Sequence, residues 1–214
     1  MLRNLIFASA VMLAAGSSQA VTFSSTPFNT LTLGQKVIVN FEKPTPGVTL
    51  SGNFSIQKGL TPGFAAPPAG DTTNYFATPS VNSESSSGTA TINFTEYLET
   101  HSAFKTLSFY WGSIDRYNTL TLLGTGLSRT TFTGSDINNP ANGDQNLPAT
   151  NRRVNFTLAK GETLTGLRLT STSRAFEIDD IATSVPEPAT WAMLLAGFAM
   201  VGLATRSRTR SVAA

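Results

Sequence analysis

Apolar and polar residues alternate in short runs through the middle of this 214-residue chain. In residues 48–56, the apolar side chains of Val48, Leu50, Phe54 and Ile56 share one parity. Successive side chains of a strand point to opposite faces, so each such run has one buried face and one solvated face. The pattern is typical of antiparallel sheets and argues against a mainly helical fold.

Nine runs of this kind predict strands, and Gly-, Pro- and Asn-containing turns separate them. They are residues 36–42, 48–56, 90–95, 106–111, 119–123, 130–133, 153–158, 164–170 and 175–181. We therefore predict an all-β domain at residues 21–184, an antiparallel and jelly-roll-like β-sandwich, with a barrel as the alternative. Gly52 is expected to mark a bulge or a close approach of two backbones.

Three segments of this domain depart from the alternation. Residues 58–87 and 134–150 are rich in turn-forming residues, and they predict two long loops that are either functional or mobile. Residues 96–99 predict a single solvated helical turn. In residues 107–111, Leu107, Phe109 and Trp111 share a face that we expect in the core, with Tyr110 on the opposite face.

The N-terminus has the features of a secretory signal. Residues 1–20 contain Arg3, the apolar run 5–15 and small residues at Ser18 and Ala20. This order predicts a signal helix with cleavage after Ala20, so that the exported protein begins at Val21.

The C-terminus, residues 185–210, combines a proline-rich segment, an apolar stretch and a basic cluster. Seventeen uncharged residues at positions 189–205 form the apolar stretch, which is at the short end of the length that spans a bilayer. We predict a transmembrane helix there, with Trp191 as an interfacial anchor and the arginines on the cytoplasmic side.

This arrangement resembles the PEP-CTERM sorting signal of Gram-negative bacteria, a tail that is also labelled the ice-binding protein C-terminal domain. Pro186, Glu187 and Pro188 match its motif, and the basic cluster consists of Arg206, Arg208 and Arg210. The resemblance implies a transient inner-membrane anchor, removal of the tail by the membrane enzyme exosortase, and a final location at the cell surface or in the extracellular matrix. It also implies an association with exopolysaccharide and biofilm.

The charge distribution argues against a nucleic-acid partner. The chain has a net charge of +2, but residues 21–184 contain 11 basic and 12 acidic side chains. Phosphate backbones bind to clustered cations, which this nearly neutral domain does not provide.

The chain has no cysteine, which excludes disulfides and thiol catalysis.

The sequence shows no catalytic motif, so we predict a non-enzymatic module that binds extracellular polysaccharide. His101 is the only histidine and is expected to be solvated, and no serine lies in a Gly-x-Ser-x-Gly elbow. The alternative is a secreted hydrolase of matrix polysaccharide, in which Glu96, Glu99 or Glu177 pairs with an aspartate. A third possibility is a purely structural matrix protein.

Two sets of residues are candidate ligand contacts. Adjacent acidic groups at Asp179 and Asp180 suit a structural calcium ion, provided that a bulge turns both to one side. Residues 175–181 also resemble the closing strand of carbohydrate-binding sandwiches, and that resemblance implies Glu42 as a further calcium ligand. The candidate glycan contacts combine aromatic and polar groups; they are Tyr110, Asp115, Tyr117 and Asn118.

Overall fold

The computed structural model describes residues 21–184 and 194–200. The first range contains twelve strands and two short helices. The strands are β1 (Thr22–Pro27), β2 (Gln35–Val39), β3 (Thr49–Gly52), β4 (Ser55–Lys58), β5 (Asn74–Thr78), β6 (Gly88–Asn93), β7 (Thr106–Gly112), β8 (Asn118–Thr125), β9 (Thr131–Thr133), β10 (Arg152–Thr157), β11 (Thr163–Ser171) and β12 (Phe176–Ser184). The helices are α1 (Thr95–Thr100) and α2 (Gly134–Ile137).

The strands form two antiparallel sheets. The larger sheet has seven strands in the order β1-β10-β7-β12-β5-β4, and β2 pairs with β12 beside β5. The smaller sheet has five strands in the order β3-β6-β11-β8-β9. The predicted all-β class and antiparallel pairing are thus confirmed, and two separate sheets favour the sandwich over the barrel.

The core lies between the facing sides of the two sheets. Phe132 of the smaller sheet packs edge-on against Phe156 of the larger sheet, with ring centroids 4.9 Å apart. Leu107, Phe109 and Trp111 all lie in this core, as their shared parity predicts. Burying large aromatic rings in one continuous layer is the main stabilising contribution available to a chain without disulfides.

A buried polar layer covers the other face of the larger sheet. Two loops lie over this face, residues 28–34 and 59–73, and their backbone and side chains meet the strand residues that point away from the core. Arg153, fully buried, donates to Asn29 in the first loop and to Ser108 of β7. The part of this face that the two loops cover, which an open antiparallel sheet would leave solvated, is therefore buried, and most of its polar groups pair within the protein.

A bulge in β12 marks the boundary between two of its partners. Residues 176–178 of β12 pair with β5, whereas residues 181–184 pair with β2. The register with β7 shifts between Asp179 and Ala182, and Asp180 has a left-handed backbone with φ of 49°. This irregularity allows Ile178 and Ile181 to enter the core together although they are three residues apart.

Several local expectations need correction. Strands β1 and β5 were not predicted, and β5 lies inside the expected loop 58–87. The predicted strand 48–56 is two strands, β3 and β4, which divide at Gly52. There a Cβ atom would lie 2.5 Å from the carbonyl oxygen of Thr89, so the expected close approach is confirmed. The helical turn at residues 96–99 exists, but Tyr97 is buried rather than solvated.

The two ends of the chain lie mostly outside the described residues. The signal peptide and its cleavage site at Ala20 are outside them, as are Pro186, Glu187, Pro188, Arg206, Arg208 and Arg210. Of the stretch predicted to be transmembrane, residues 194–200 are described, and they are helical. Within residues 21–184 and 194–200, no helix is both long enough and apolar enough to cross a membrane.

Candidate functional site

A polar cleft of about 230 Å³ opens where β7 ends and β12 begins. Since the two strands are antiparallel neighbours, the end of one lies beside the start of the other. The polar side chains lining this cleft are Thr61, Ser113, Asp115, Tyr117, Gln145, Arg174 and Glu177. We call this set the polar cleft; it lies at the opposite end of β12 from Ser184.

Glu177 forms the floor of the polar cleft and is only 2% exposed. One carboxylate oxygen accepts a hydrogen bond from Ser113 Oγ at 2.7 Å, and the other accepts one from the backbone N–H of Ala66 at 3.2 Å. Burial raises the pKa of Glu177 to about 7, and the nearby charge of Asp115 acts in the same direction. This carboxyl group can therefore hold or release a proton near neutral pH.

Asp115 and Tyr117 form one wall of the polar cleft, and both are partly exposed. Tyr117 donates its hydroxyl hydrogen bond to the carbonyl oxygen of Arg174 at 2.6 Å, which fixes the ring. Burial raises the pKa of Asp115, while the neighbouring Tyr117 hydroxyl and Arg116 oppose that shift. The wall thus offers a carboxylate and an aromatic edge at fixed positions.

The backbone around this wall is tightly constrained. Ser113, at the end of β7, has a left-handed conformation with φ of 36°, a conformation that is unusual for a residue other than glycine. Gly143 also has a positive φ, 69°, and an added Cβ atom would lie 2.4 Å from both carboxylate oxygens of Asp115. Glycine at position 143 thus leaves the space that the Asp115 carboxylate occupies, and a larger residue there would have to displace that carboxylate.

Arg174 borders the polar cleft and is held by its neighbours. Its guanidinium group stacks over the ring of Phe64 at 4.1 Å from the centroid, and it donates to the carbonyl oxygen of Ser83. Its Nε atom is buried and has no hydrogen-bond partner among the described residues. The loop predicted at residues 58–87 therefore contributes one side of the cleft.

The structure separates the four candidate glycan contacts into two pairs. Asp115 and Tyr117 lie together in the polar cleft. Tyr110 is 1% exposed and donates to the carbonyl oxygen of Ala69, and Asn118 is fully buried, with its amide donating to Ala175. Neither Tyr110 nor Asn118 offers a surface to a sugar, because the loop 59–73 and the start of β12 cover them.

The three candidate calcium ligands have separate partners. Glu42 accepts a hydrogen bond from the backbone N–H of Asn74 at 2.7 Å, and Asp180 accepts one from Asn29 at 2.6 Å. Asp179 is fully buried and accepts from Thr73 at 2.9 Å. Among residues 21–184 and 194–200, no group of three or more acidic or histidine side chains is placed to hold a metal ion.

Asp179 instead faces another carboxyl group. Burial, and then hydrogen bonding with Asp71, raises the pKa of Asp179 to about 9. The bulge that joint binding by Asp179 and Asp180 would require is present between Asp179 and Ala182, and Asp179 lies in the buried polar layer, where it accepts a hydrogen bond from Thr73.

Other features of the polar cleft carry no sequence signal that we can identify. Ser113, Gln145 and Arg174 lie in three different connections, and nothing in their local sequence distinguishes them from ordinary surface residues.

His101 is exposed and stacks on Tyr97 with ring centroids 3.9 Å apart, at the other end of the sandwich.

The fold and the cleft define a β-sandwich domain with a polar pocket at one end and a C-terminal extension at the other. Residues 184–208, that extension, match the family described as the PEP-CTERM protein-sorting motif. The resemblance noted from Pro186, Glu187 and Pro188 is thereby confirmed, and the chain carries the signal of an exported protein that exosortase sorts to the surface. No curated protein matches the sequence.

Proposed function

We propose that this protein is a non-enzymatic component of the cell surface or extracellular matrix, whose jelly-roll-like sandwich binds exopolysaccharide. The observation that carries the proposal is the polar cleft itself, in which Asp115, Tyr117 and Arg174 converge beside the exposed amide of Gln145. Sugar hydroxyls both donate and accept hydrogen bonds, so a pocket with carboxylate, amide, hydroxyl and guanidinium groups suits them.

The position of the polar cleft also supports a ligand outside the cell. The cleft lies at the start of β12, and the sorting motif begins at the last residue of the same strand. The cleft is thus at the end of β12 that lies farther from the tail. A polymer in the matrix can therefore reach the cleft without meeting the bilayer.

This function is tested by measuring how much of the protein is retained on exopolysaccharide from the bacterium that produces it. We expect the processed protein to be retained. Asp115→Asn and Tyr117→Ala should each weaken retention about tenfold, because each removes one or two hydrogen bonds or a stacking contact with the sugar. Glu99→Gln, an exposed change on α1, is the matched control and should bind normally. Retention unchanged in both cleft variants would contradict the proposal and favour a purely structural matrix protein.

A secreted polysaccharide hydrolase is the second candidate, and Glu177 is the observation that favours it. A general acid works best with a pKa near the operating pH, and burial raises the pKa of Glu177 to about 7 beside Asp115. This candidate predicts new reducing ends when the processed protein is incubated with the polysaccharide. Glu177→Gln should then abolish turnover while leaving retention intact, whereas no turnover by the unaltered protein would reject it.

Mass spectrometry of the processed protein tests the sorting that accompanies both candidates. We expect an N-terminus at Val21 and a C-terminus near the Pro-Glu-Pro segment. An intact C-terminus through Ala214 in the envelope fraction would contradict removal of the tail.

A further inference from the structure

An apolar groove of about 640 Å³ lies at the end of the sandwich opposite the polar cleft. Its apolar wall includes Val37, Ile38, Tyr97 and Phe104, and Ser184 lies at its margin. We call this the apolar groove. Its lining is mainly apolar, and neither candidate function uses it.

The chain itself leaves the domain at this groove. Ser184 is the last residue of β12, and residues 185–190 that follow read Val-Pro-Glu-Pro-Ala-Thr. An extended chain advances up to about 3.3–3.6 Å per residue, so Glu187 can reach about 10 Å from Ser184. Any partner for the groove must therefore compete with a segment that is covalently held at its edge.

The groove and the segment have matching chemistry. Proline-rich segments are pre-organised as polyproline II and bind in grooves lined by aromatic rings, which loses little conformational entropy. The apolar groove offers Tyr97, on which His101 stacks at 3.9 Å, and Phe104, which packs 6.2 Å from Tyr97. Both rings are largely buried, so the groove presents only their edges, beside the partly exposed side chains of Val37 and Ile38, to proline side chains.

Charge favours the same occupant. Lys36 and Lys105 line the apolar groove, and both are exposed. Residues 185–190 contain one charged side chain, Glu187. Glu187 is held near the two lysines by its covalent connection to Ser184. It can therefore attract them electrostatically without the entropy cost of bringing two separate molecules together.

We propose that the apolar groove holds the chain's own residues 185–190, with Pro186 and Pro188 against the aromatic rings and Glu187 beside Lys36 and Lys105. The docked segment fixes the sandwich against the start of the membrane-directed tail. It also holds the peptide that exosortase recognises on the surface of the folded domain, so that the enzyme acts on a segment in equilibrium between bound and free states.

Disulfide trapping in the full-length chain in membranes tests the docking, and the lack of native cysteines makes the result unambiguous. Ala103→Cys in the groove is paired with Ala189→Cys in the segment. The matched control pairs Ala189→Cys with Leu33→Cys, because Leu33 is fully exposed and lies two residues from Gln35, which pairs with Ser184. Docking predicts trapping of the groove pair at least about fivefold faster than the control pair.

A charge reversal provides the second measurement. Lys36→Glu with Lys105→Glu should slow trapping of the groove pair about fivefold, and adding Glu187→Lys should restore it. Equal trapping rates for the groove and control pairs, or rates insensitive to both reversals, would overturn the proposal. Neither measurement depends on polysaccharide binding. The docking proposal can therefore be contradicted while the proposed function stands, and the proposed function can be contradicted while the docking stands.

Discussion

Glu177 is a carboxyl group in an environment that favours its protonated form. Its pKa is raised from 4.5 to about 7 in the folded protein because burial disfavours the charge. The folded state therefore binds this proton more tightly than the unfolded state does. The stabilising contribution is complete below about pH 4.5 and is lost as the pH rises through 7.

The first prediction concerns that pH dependence. Between pH 5 and pH 7, the Glu177 carboxyl should reduce the free energy of unfolding by on the order of 2 kcal/mol, and Glu177→Gln should remove this part of the slope. Urea unfolding of the processed protein at several pH values measures it. Glu99→Gln keeps the original slope as a control, and identical slopes for wild type and Glu177→Gln would contradict the assignment.

The second prediction uses the contact between Gly143 and Asp115. Gly143→Ala should displace the Asp115 carboxylate and weaken polysaccharide retention about fivefold, because the added Cβ atom would lie 2.4 Å from both oxygens. Gly70→Ala is the matched control, since Gly70 has a similar φ of 78° but open space around it. Both variants should lose about 1–2 kcal/mol of stability from left-handed strain. Equal retention by the two variants would count against Asp115 as a contact.

At the residue level, the sequence predicts the direction of a side chain better than its exposure. Alternation correctly places Tyr110 on the face opposite Phe109 and Trp111. It cannot show that the distant loop 59–73 covers that face and accepts the Tyr110 hydrogen bond at Ala69. Asp115 and Tyr117 were identifiable because a connection between strands concentrates polar and aromatic residues.

Among the elements, β5 shows what local sequence patterns miss. Tyr75, Phe76 and Ala77 are all fully buried, so the strand has no polar alternation, and Gly, Pro and Ser residues flank it. Its burial on both faces depends on the core on one side and the covering loop on the other. By contrast, β10 and β11 retain clear alternation and were predicted within two residues of their bounds.

The third prediction concerns β9, an edge strand of three residues. Phe132 is its only fully buried side chain, and it contacts both Phe23 and Phe156, with ring centroids 5.4 and 4.9 Å away. Phe132→Ala should cost about 3–5 kcal/mol and detach the edge of the smaller sheet. Thr131→Ala, at an exposed neighbour, should stay within about 0.5 kcal/mol. Urea denaturation measures both, and a cost below about 1 kcal/mol for Phe132→Ala would contradict this role.

For the whole molecule, one core joins the two sheets. The main hydrophobic cluster includes residues of both sheets, and Trp111 stacks on Phe176 within it at 4.3 Å between ring centroids. The fourth prediction is therefore cooperative unfolding of the processed protein. Tryptophan fluorescence and far-ultraviolet circular dichroism should give coincident urea transitions, whereas separated midpoints would show that the sheets unfold independently.

The general architecture was accessible from sequence because its signals are local. Alternation, turn residues and the tail motif at residues 184–208 each depend on short stretches of chain. The polar cleft joins residues 113–117, 143–145 and 174–177 with the loop at 60–65, so it depends on how the connections fold over the sheets. That arrangement is set by tertiary packing, which a single sequence does not reveal.

The pairing of β12 has a mechanical consequence. β12 has β7 along one side and β5 followed by β2 along the other, and its last residue is where the chain leaves towards the tail. A pulling force directed along β12 would load its backbone hydrogen bonds to the neighbours on both sides together, in shear, instead of opening them one by one. An edge strand such as β1, which pairs only with β10, would have hydrogen bonds on one side to resist the same load. For a pull along its length, β12 is therefore held more firmly than an edge strand is.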